Sequence, residues 1–441
     1  MRIDSPEPNF GASGDEHNAA QWTKEFFLAR QPILDRAQNL IAYELLFRRT
    51  ATGAADVTDD LAATATVIEH SAALGLENVI GSALGFVNVD AAVLMSDIVR
   101  FLPADKVVLE ILETVSASVP LNARVAELVA LGYTFALDDV ITSSVHLADL
   151  MPYVKIIKID VAGMPLAQLR ALSIGFQAAG KVLLAEKVET LAEYEACMAL
   201  GFSYFQGYYF ARPNIMSGRK LAASQLTLIQ LMGLIAEDAD NDLIEAIIKR
   251  DASIGLMLLR LVNTPGSGVI NRIDSFSQVL LVLGRRQLQR WLQILLYAQP
   301  IEDRNTISPL LALAATRGKL LELLAEKLMP GQRTVADTAF TVGIMSLMDT
   351  LFGQSMISLL SQIIVSDEVS AALVEGRGFF GDLLTLAKNI ERLDDTGVQM
   401  VPILARLTLT AEDLNAMQLK AFDWSNHLAD PAQARPQAGV L

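Results

Sequence analysis

Histidine and cysteine are scarce in this chain, which has four histidines and one cysteine among 441 residues. A single cysteine, Cys197, excludes a disulfide scaffold and any zinc or iron–sulfur site built from cysteines. Cys197 lies in the helical run EYEACMALG, which predicts a buried core residue rather than a nucleophile. The four histidines are far apart in the sequence and are interpreted as ordinary surface or hydrogen-bonded residues.

Positive charge is also in short supply, because Lys and Arg total 35 against 50 Asp and Glu, a net charge of -15. Broad nucleic-acid binding needs a cationic surface that neutralises phosphates, so no nucleic-acid partner is expected. Long hydrophobic runs are missing as well, since stretches such as MISLLSQIIV at 356–365 contain polar residues and have the length of a core helix. The first residues lack the basic start and apolar centre of a signal peptide. We therefore expect a soluble, cytoplasmic protein without membrane contact.

The pattern of apolar and polar residues changes near residue 213. Residues 1–21 are polar and lack periodicity, which predicts a disordered lead, and residues 428–441 are predicted to be a flexible tail. Residues 22–213 alternate short β-branched or aromatic runs with amphipathic stretches, whereas residues 220–427 have helical spacing almost throughout. The chain is thus predicted to contain two domains.

The upstream part contains eight candidate strands. They are Phe26–Arg30, Leu40–Phe47, Leu84–Asn88, Lys106–Ile111, Tyr133–Leu137, Val154–Ile159, Lys181–Ala185 and Ser203–Phe205. Only a short turn, residues 35–39, joins the first two, and it is too short for a helical crossover between parallel strands. The sequence therefore predicts an α/β fold, a modified TIM-type (β/α) barrel with an antiparallel opening strand, followed by an all-helical domain.

Polar residues stand at or just past the ends of most of these strands. They are Glu44, Asn88, Glu110, Asp138, Asp139, Lys158, Asp160, Glu186, Glu189 and Gln206. The carboxyl ends of parallel barrel strands share one rim, where such side chains converge. Converging carboxylates repel one another, and Mg²⁺ or Mn²⁺ relieves that repulsion because it prefers oxygen ligands. Two such ions can activate a water and neutralise a phosphodiester. Each acid alone is equally well explained as a helix N-cap, but the recurrence in strand after strand favours a metal site.

Three tracts resemble the EAL domain family, whose members degrade or bind cyclic di-GMP: QPI at 31–33, YELLFR at 43–48 and QGYYFARP at 206–213. The resemblance covers about residues 22–213 and implies a two-metal Mg²⁺ or Mn²⁺ site. It implies metal ligation by Glu44, Asn88, Glu110, Asp138 and Asp139, catalysis by Lys158, Glu186 and Glu189, substrate contacts by Arg48 and Gln206, and support of the loop after Asp139 by Glu113.

The chain departs from the family pattern in two places. Active members continue Asp-Asp-Phe-Gly-Thr-Gly, whereas residues 138–144 read DDVITSS and lack both glycines. In the family this loop couples metal binding to dimerisation, so efficient turnover is in question, and a homodimer is an expectation from the family alone. Lys187 replaces a glycine beside Glu186, and its cation can pair with Glu186, reach a ligand phosphate or extend into solvent.

The helical half carries a second resemblance. The tracts LLRLVNTP at 258–265, RIDS at 272–275, VLGR at 282–285 and TVGIMSLMD at 341–349 resemble the HDOD domain. This output module is related to the HD metal-dependent hydrolases but lacks their ligands. Residues 214–426 contain no histidine, which excludes a histidine–aspartate metal cluster in this half. The resemblance implies that this HDOD domain binds no cofactor and that it contacts a protein partner.

The sequence therefore predicts a bacterial EAL–HDOD signalling protein. Its barrel binds cyclic di-GMP with a divalent metal and hydrolyses it to pGpG, weakly if the altered loop is degenerate, and its HDOD domain passes the signal to a protein. Two alternatives stay open: a catalytically inactive scaffold or regulator that acts through protein contacts, and a metal hydrolase acting on another phosphoester.

Overall fold

The computed structural model describes residues 26–49, 76–140, 149–211, 223–250, 276–297, 308–361 and 365–429, together with the pairs 254–255, 258–259 and 262–263. The predicted disordered lead at residues 1–21 lies outside the described residues. So does the predicted tail, except that the last helix runs on to Ala429. Residues 141–148, which include most of the altered segment after Asp139, also lie outside them.

Eight strands close into a barrel in chain order, as the sequence predicts. They are β1 Phe26–Asp35, β2 Leu40–Arg49, β3 Leu84–Val89, β4 Val107–Ile111, β5 Thr134–Leu137, β6 Ile156–Asp160, β7 Val182–Glu186 and β8 Tyr204–Gln206. Strand β1 runs antiparallel to both of its neighbours, β2 and β8, and all other pairs are parallel. The antiparallel opening hairpin is thus confirmed.

Strand β1 is twice as long as expected, because it runs to Asp35 and not to Arg30. The strand includes Pro32, although proline lacks the N–H that a central strand donates. The barrel tolerates Pro32 because β8 pairs with β1 at Ile33–Asp35, beyond the proline.

Short helices connect the parallel strands and cover the barrel. They are α1 Leu76–Ile80, α2 Ala91–Met95, α3 Val119–Ala130, α4 Leu166–Ala178 and α5 Leu191–Ala199, with 3-10 turns at Asp97–Phe101 and Tyr209–Ala211. A capping box of Thr190 and Glu193 begins α5 and fixes the chain just after the rim residue Glu189.

The rest of the described chain is helical. Its helices are α6 Ala223–Ala236, α7 Asn241–Arg250, α8 Phe276–Leu295, α9 Pro309–Leu328, α10 Arg333–Met345, α11 Met348–Phe352, α12 Met356–Leu360, α13 Asp367–Glu375, α14 Gly378–Glu391, α15 Leu393–Leu407 and α16 Ala411–Ala429. The sequence predicts two helices at 277–283 and 286–298, and these abut in α8 at a kink where Gly284 has φ 69°. Helices α9 and α10 cross closely, because a Cβ added to Gly343 would lie 2.6 Å from the Cα of Gly318.

One described stretch, Arg333–Phe352, is long and apolar enough to cross a membrane by length and composition. However, 61% of its most apolar window is buried inside the protein. Residues of this stretch such as Phe340 and Ile344 belong to the apolar core of the helical part. The stretch is therefore accounted for as a core segment.

The helical part packs directly on the opening hairpin of the barrel. Phe27 and Ala29 of β1 and Leu46 of β2 belong to the same apolar core as the helices. Polar contacts join the two parts as well, since Leu28 N donates to Asn415 Oδ1 at 3.0 Å and Thr350 Oγ1 donates to the carbonyl oxygen of Ala211 at 2.9 Å. The hairpin is therefore shared between the barrel and the helical part.

The lone cysteine is a core residue, as the sequence predicts. Cys197 is 1% exposed, and burial raises the pKa of its thiol to about 12. Because the thiolate is the nucleophile, a thiol with so high a pKa is hardly reactive at pH 8. We expect the folded protein to resist iodoacetamide at pH 8 and to be fully alkylated after denaturation, as read by mass spectrometry. Rapid alkylation of the folded chain would contradict this burial.

Candidate active site

The interior of the barrel is built in two layers that follow the alternation of strand side chains. The lower layer is apolar and consists of Ile33, Ala42, Phe86, Val108, Ala136, Ile156 and Leu184. Two positions farther toward the rim, each strand carries a polar residue in place of the apolar one. These residues are Gln31, Glu44, Asn88, Glu110, Asp138, Lys158 and Glu186, joined by Gln206 on β8. The polar residues predicted from the strand ends thus form a ring above an apolar floor.

Lys158 lies at the centre of this ring and has no exposed surface. Its Nζ lies 2.7 Å from Asp138 Oδ1, 2.8 Å from Glu110 Oε1, 2.9 Å from Glu186 Oε1 and 3.3 Å from Glu44 Oε2. One ammonium group therefore holds four carboxylates together.

Two amide side chains also hold Glu44 in place. Gln206 Nε2 donates to Glu44 Oε2 at 2.6 Å and to Gln31 Oε1 at 2.8 Å. Asn88 Nδ2 donates to Glu44 Oε1 at 3.2 Å. Since an amide donor prefers a charged acceptor, these contacts favour the ionised form of Glu44.

The shared burial of these acids separates their pKa values. Burial, with the charges of Glu44 and Asp138, raises the pKa of Glu110 well above its usual range although Lys158 opposes the shift. Burial likewise raises the pKa of Glu186 to about 8. For Glu44 burial is outweighed by Lys158 and by the amide hydrogen bonds, so its pKa is lowered. Burial would lower the pKa of Lys158, but the surrounding carboxylates raise it well above its usual range.

The ring has spare oxygens that suit a hard cation. Asn88 Oδ1, Asp139 Oδ1 and Gln206 Oε1 are buried and have no hydrogen-bond partner, and Glu110 pairs with Lys158 by distance without good hydrogen-bond geometry. Buried oxygens of this kind need a partner, and carboxylate and amide oxygens are ligands of Mg²⁺ and Mn²⁺. Within the described residues, no three acidic, histidine or cysteine side chains are already arranged around one ion position. The donor set fits a divalent cation, and the Lys158 ammonium now stands where the carboxylates converge.

Four predicted residues are placed differently from the ring. Asp139 follows Asp138 with φ 45°, a left-handed conformation that aspartate adopts more readily than most residues other than glycine. Glu189 is half-buried beyond β7, where its backbone N–H donates to Glu193 Oε2 at 2.8 Å. Glu113 is exposed in the turn after β4, and the loop it is predicted to support lies outside the described residues. Arg48 belongs to β2, where it pairs with Phe27.

Lys187 pairs with a residue that the sequence does not indicate. Its Nζ lies 2.7 Å from Asp160 Oδ2, although pairing with Glu186 was one of the predicted options. Its side chain is 59% exposed and its φ is 52°. A left-handed φ explains why glycine suits this position, as the family pattern indicates.

Gly207 anchors Gln206 in the ring. A Cβ at this position would lie 2.1 Å from the carbonyl oxygen of Val188, and its φ is 139°. Val188 N donates to the carbonyl oxygen of Gln206 at 2.9 Å, so the two segments lie against each other without room for a side chain. The glycine is needed for the close approach that aims Gln206 at Glu44.

Sequence reasoning missed Gln31 as a residue of the ring. Gln31 is part of the QPI tract, but it lies in the middle of β1 rather than at a strand end. Because β1 is antiparallel, its rim residues come early in the strand, and a search at carboxyl ends passes over them. The antiparallel hairpin, which the sequence does predict, was the available signal.

Comparison with known proteins identifies the family of the chain. The EAL domain model matches residues 16–213 and the HDOD domain model matches residues 223–367. The chain is 31% identical over 407 residues to the cyclic di-GMP phosphodiesterase CdgJ of Vibrio cholerae, covering 91% of this chain and 93% of CdgJ. The chain belongs to the EAL–HDOD family. The uncharacterised protein YuxH of Bacillus subtilis is 30% identical over 412 residues, covering 92% of this chain and 99% of YuxH.

Solved EAL proteins are similar over part of this EAL–HDOD chain. The Bacillus subtilis YkuI protein, solved with cyclic di-GMP and calcium, is 20% identical and has a TM-score of 0.37, covering 61% of this chain and 74% of YkuI. Klebsiella pneumoniae BlrP1, solved with manganese and cyclic di-GMP, is 23% identical and has a TM-score of 0.35, covering 42% of this chain and 55% of BlrP1.

Proposed function

We propose that the EAL barrel binds cyclic di-GMP together with Mg²⁺ or Mn²⁺ and hydrolyses one phosphodiester to give linear pGpG. The observation that carries the proposal is the ring of four carboxylates and three amides around Lys158, on a floor of apolar residues. The similarity to CdgJ, which is named a cyclic di-GMP phosphodiesterase, supports the choice of substrate. We further propose that the protein acts in the cytoplasm.

The side chains of the ring have distinct tasks in this proposal. Glu44, Asn88, Glu110, Asp138 and Asp139 would hold two divalent cations, whose chemistry is to activate a water and neutralise phosphate oxygens. Lys158 keeps its proton, because its pKa is raised, and so supplies a fixed positive charge inside the ring. Glu186, with a pKa of about 8, can take up or release a proton near neutral pH, which suits a general acid or base. Arg48 is proposed to contact a phosphate.

The test is to incubate the full chain with cyclic di-GMP and Mn²⁺ and to measure binding and pGpG formation separately. Glu44→Gln keeps the shape of the side chain but removes a charge that Lys158 and two amides hold in place. We expect the variant to lose turnover by about 10- to 100-fold or more, because even a residue that only orients a metal ligand has an effect of about 10- to 100-fold. The matched control is Glu127→Gln on α3, a carboxylate that pairs with Arg100 and Arg124 on the outside of the barrel.

The outcomes distinguish an enzyme from a receptor and from a protein that does not bind the nucleotide. Turnover that is lost in Glu44→Gln and kept in Glu127→Gln supports the enzyme. Binding without turnover in the parent protein supports a receptor for cyclic di-GMP. Absence of both binding and turnover would sink the nucleotide proposal.

A second candidate function is a scaffold that acts through protein contacts, and the shared hairpin favours it. Phe27, Ala29 and Leu46 tie the strands that carry Gln31 and Glu44 to the core of the HDOD domain. We propose that the HDOD domain contacts a protein partner in either case. A partner that binds the Glu44→Gln variant as tightly as the parent protein would favour the scaffold.

A further inference from the structure

Lys187 adds a second ammonium group to the rim at a backbone position that disfavours side chains. Its φ of 52° lies in the left-handed region, where residues other than glycine are strained. The side chain is 59% exposed, in contrast to the wholly buried Lys158. Lys187 can therefore leave its partner by rotating into solvent, whereas Lys158 cannot.

The partner of Lys187 belongs to the same wall of the barrel as the ring. Asp160 lies two residues beyond Lys158 on β6 and is in register with Glu186 on β7. Asp160 Oδ1 accepts from Ala162 N at 2.8 Å, and Asp160 Oδ2 lies 2.7 Å from Lys187 Nζ. Both carboxylate oxygens are thus engaged, one by the backbone and one by the lysine.

The charge of Lys187 also acts on the neighbouring acids. Its pKa is raised, first by the hydrogen bond to Asp160 and then by the charges of Asp139 and Glu186. Asp139 Oδ1 is buried and has no hydrogen-bond partner. A positive charge beside these acids repels an incoming cation, and the repulsion is stronger for a divalent ion than for a monovalent one.

We propose that Lys187 is a positioning residue that weakens divalent-cation binding at the rim, by holding Asp160 and by placing its charge beside Asp139 and Glu186. This inference rests on the proposed metal site. A glycine at position 187 has no charged side chain and could not weaken cation binding in this way. A cation must then displace or outweigh the Lys187 ammonium before it reaches this side of the rim.

The test measures Mn²⁺ binding to the full chain without nucleotide, by titration with detection of free Mn²⁺ by electron paramagnetic resonance. Lys187→Gln is expected to bind Mn²⁺ roughly 3- to 10-fold more tightly than the parent, the scale of a partly screened surface charge. Lys187→Arg keeps the charge and is expected to bind like the parent. Lys249→Gln is the matched control, because Lys249 is also 59% exposed and pairs with Glu245 on α7 at 2.5 Å.

Melting curves in EDTA show first that all variants fold. Tighter binding in Lys187→Gln alone supports the inference. Equal or weaker binding in Lys187→Gln overturns it, and if Glu44→Gln still abolishes Mn²⁺ binding the proposed function stands. If Glu44→Gln binds Mn²⁺ like the parent, the ring is not the metal site, and the inference falls together with the proposed function.

Discussion

Replacing Lys158 with methionine is expected to make the barrel strongly dependent on metal for its stability. The substitution keeps an unbranched side chain of similar length but removes the charge that lies within 3.3 Å of four carboxylates. Removing one partner of a buried ionic group costs about 3–5 kcal/mol, because the remaining charges have no compensation. We expect a loss of that size in the free energy of unfolding, measured by urea denaturation in EDTA at neutral pH.

Metal should reverse part of this loss. Mn²⁺ brings the positive charge that Lys158→Met removes, so it should raise the melting temperature of the variant more than that of the parent. The proposed turnover of cyclic di-GMP should still be lost, since a cation in the ring does not replace the ammonium at its position. Lys181→Met is the matched control, because Lys181 is a partly buried lysine of the same barrel whose Nζ donates to the carbonyl oxygens of Met151 and Val154.

Two results would contradict this prediction. Equal losses in Lys158→Met and Lys181→Met would mean that the ring needs no central charge. Unchanged stability of Lys158→Met in EDTA would mean that the acids keep their protons and repel one another little. The pKa values of Glu110 and Glu186 are raised, which favours their protonated forms, so these two acids are where such an effect would arise.

The architecture of the barrel could be predicted because strand patterning and turn length are local properties. Each of the eight predicted strands is present, with boundaries that differ by a few residues except at β1. The short turn before Leu40 settles the direction of the first pair, since a parallel pair needs a longer connection. The ring could be predicted for the same reason, because the carboxyl ends of parallel strands meet at one rim.

What the sequence did not indicate are contacts between residues far apart in the chain. The pairing of Lys187 with Asp160 depends on the register of β6 against β7 and on a left-handed backbone at residue 187. The position of Lys158 between four carboxylates depends on the curvature of the closed barrel. Neither the register nor the curvature is encoded in a local pattern of residue types, so Lys158 was predicted as a catalytic residue without its role in holding the acids.

The packing of the helical part of the chain on the hairpin leads to a second large effect, centred on Arg30. This residue of β1 is 9% exposed, and its guanidinium lies between the rings of Tyr43 and Phe422 at 4.1 and 4.0 Å from their centroids. It donates to the carbonyl oxygen of Val79 in the barrel. It also donates to Thr316, Ser425 and Asn426 of the helical domain at 3.3, 3.0 and 3.1 Å.

Arg30→Met is expected to loosen the two domains from each other. Methionine keeps much of the apolar stem but removes every hydrogen bond of the guanidinium, so buried acceptors on both domains lose a donor. Losing several such bonds together should lower the free energy of unfolding by about 3 kcal/mol. Calorimetry should show the unfolding transition broadened or divided into two, and alkylation of Cys197 should report the barrel separately.

Arg36→Met is the matched control for this change. Arg36 lies in the turn between β1 and β2 and donates to the carbonyl oxygens of Phe202 and Met198 at 2.7 and 3.2 Å, all within the barrel. It should leave the link between the domains intact. Arg30 directly precedes Gln31, whose Oε1 accepts from Gln206 Nε2 in the ring. Arg30→Met should therefore also weaken the proposed binding of cyclic di-GMP. A single transition at the parent midpoint, with unchanged ligand affinity, would show that the apolar contacts of Phe27, Ala29 and Leu46 hold the domains together without the arginine.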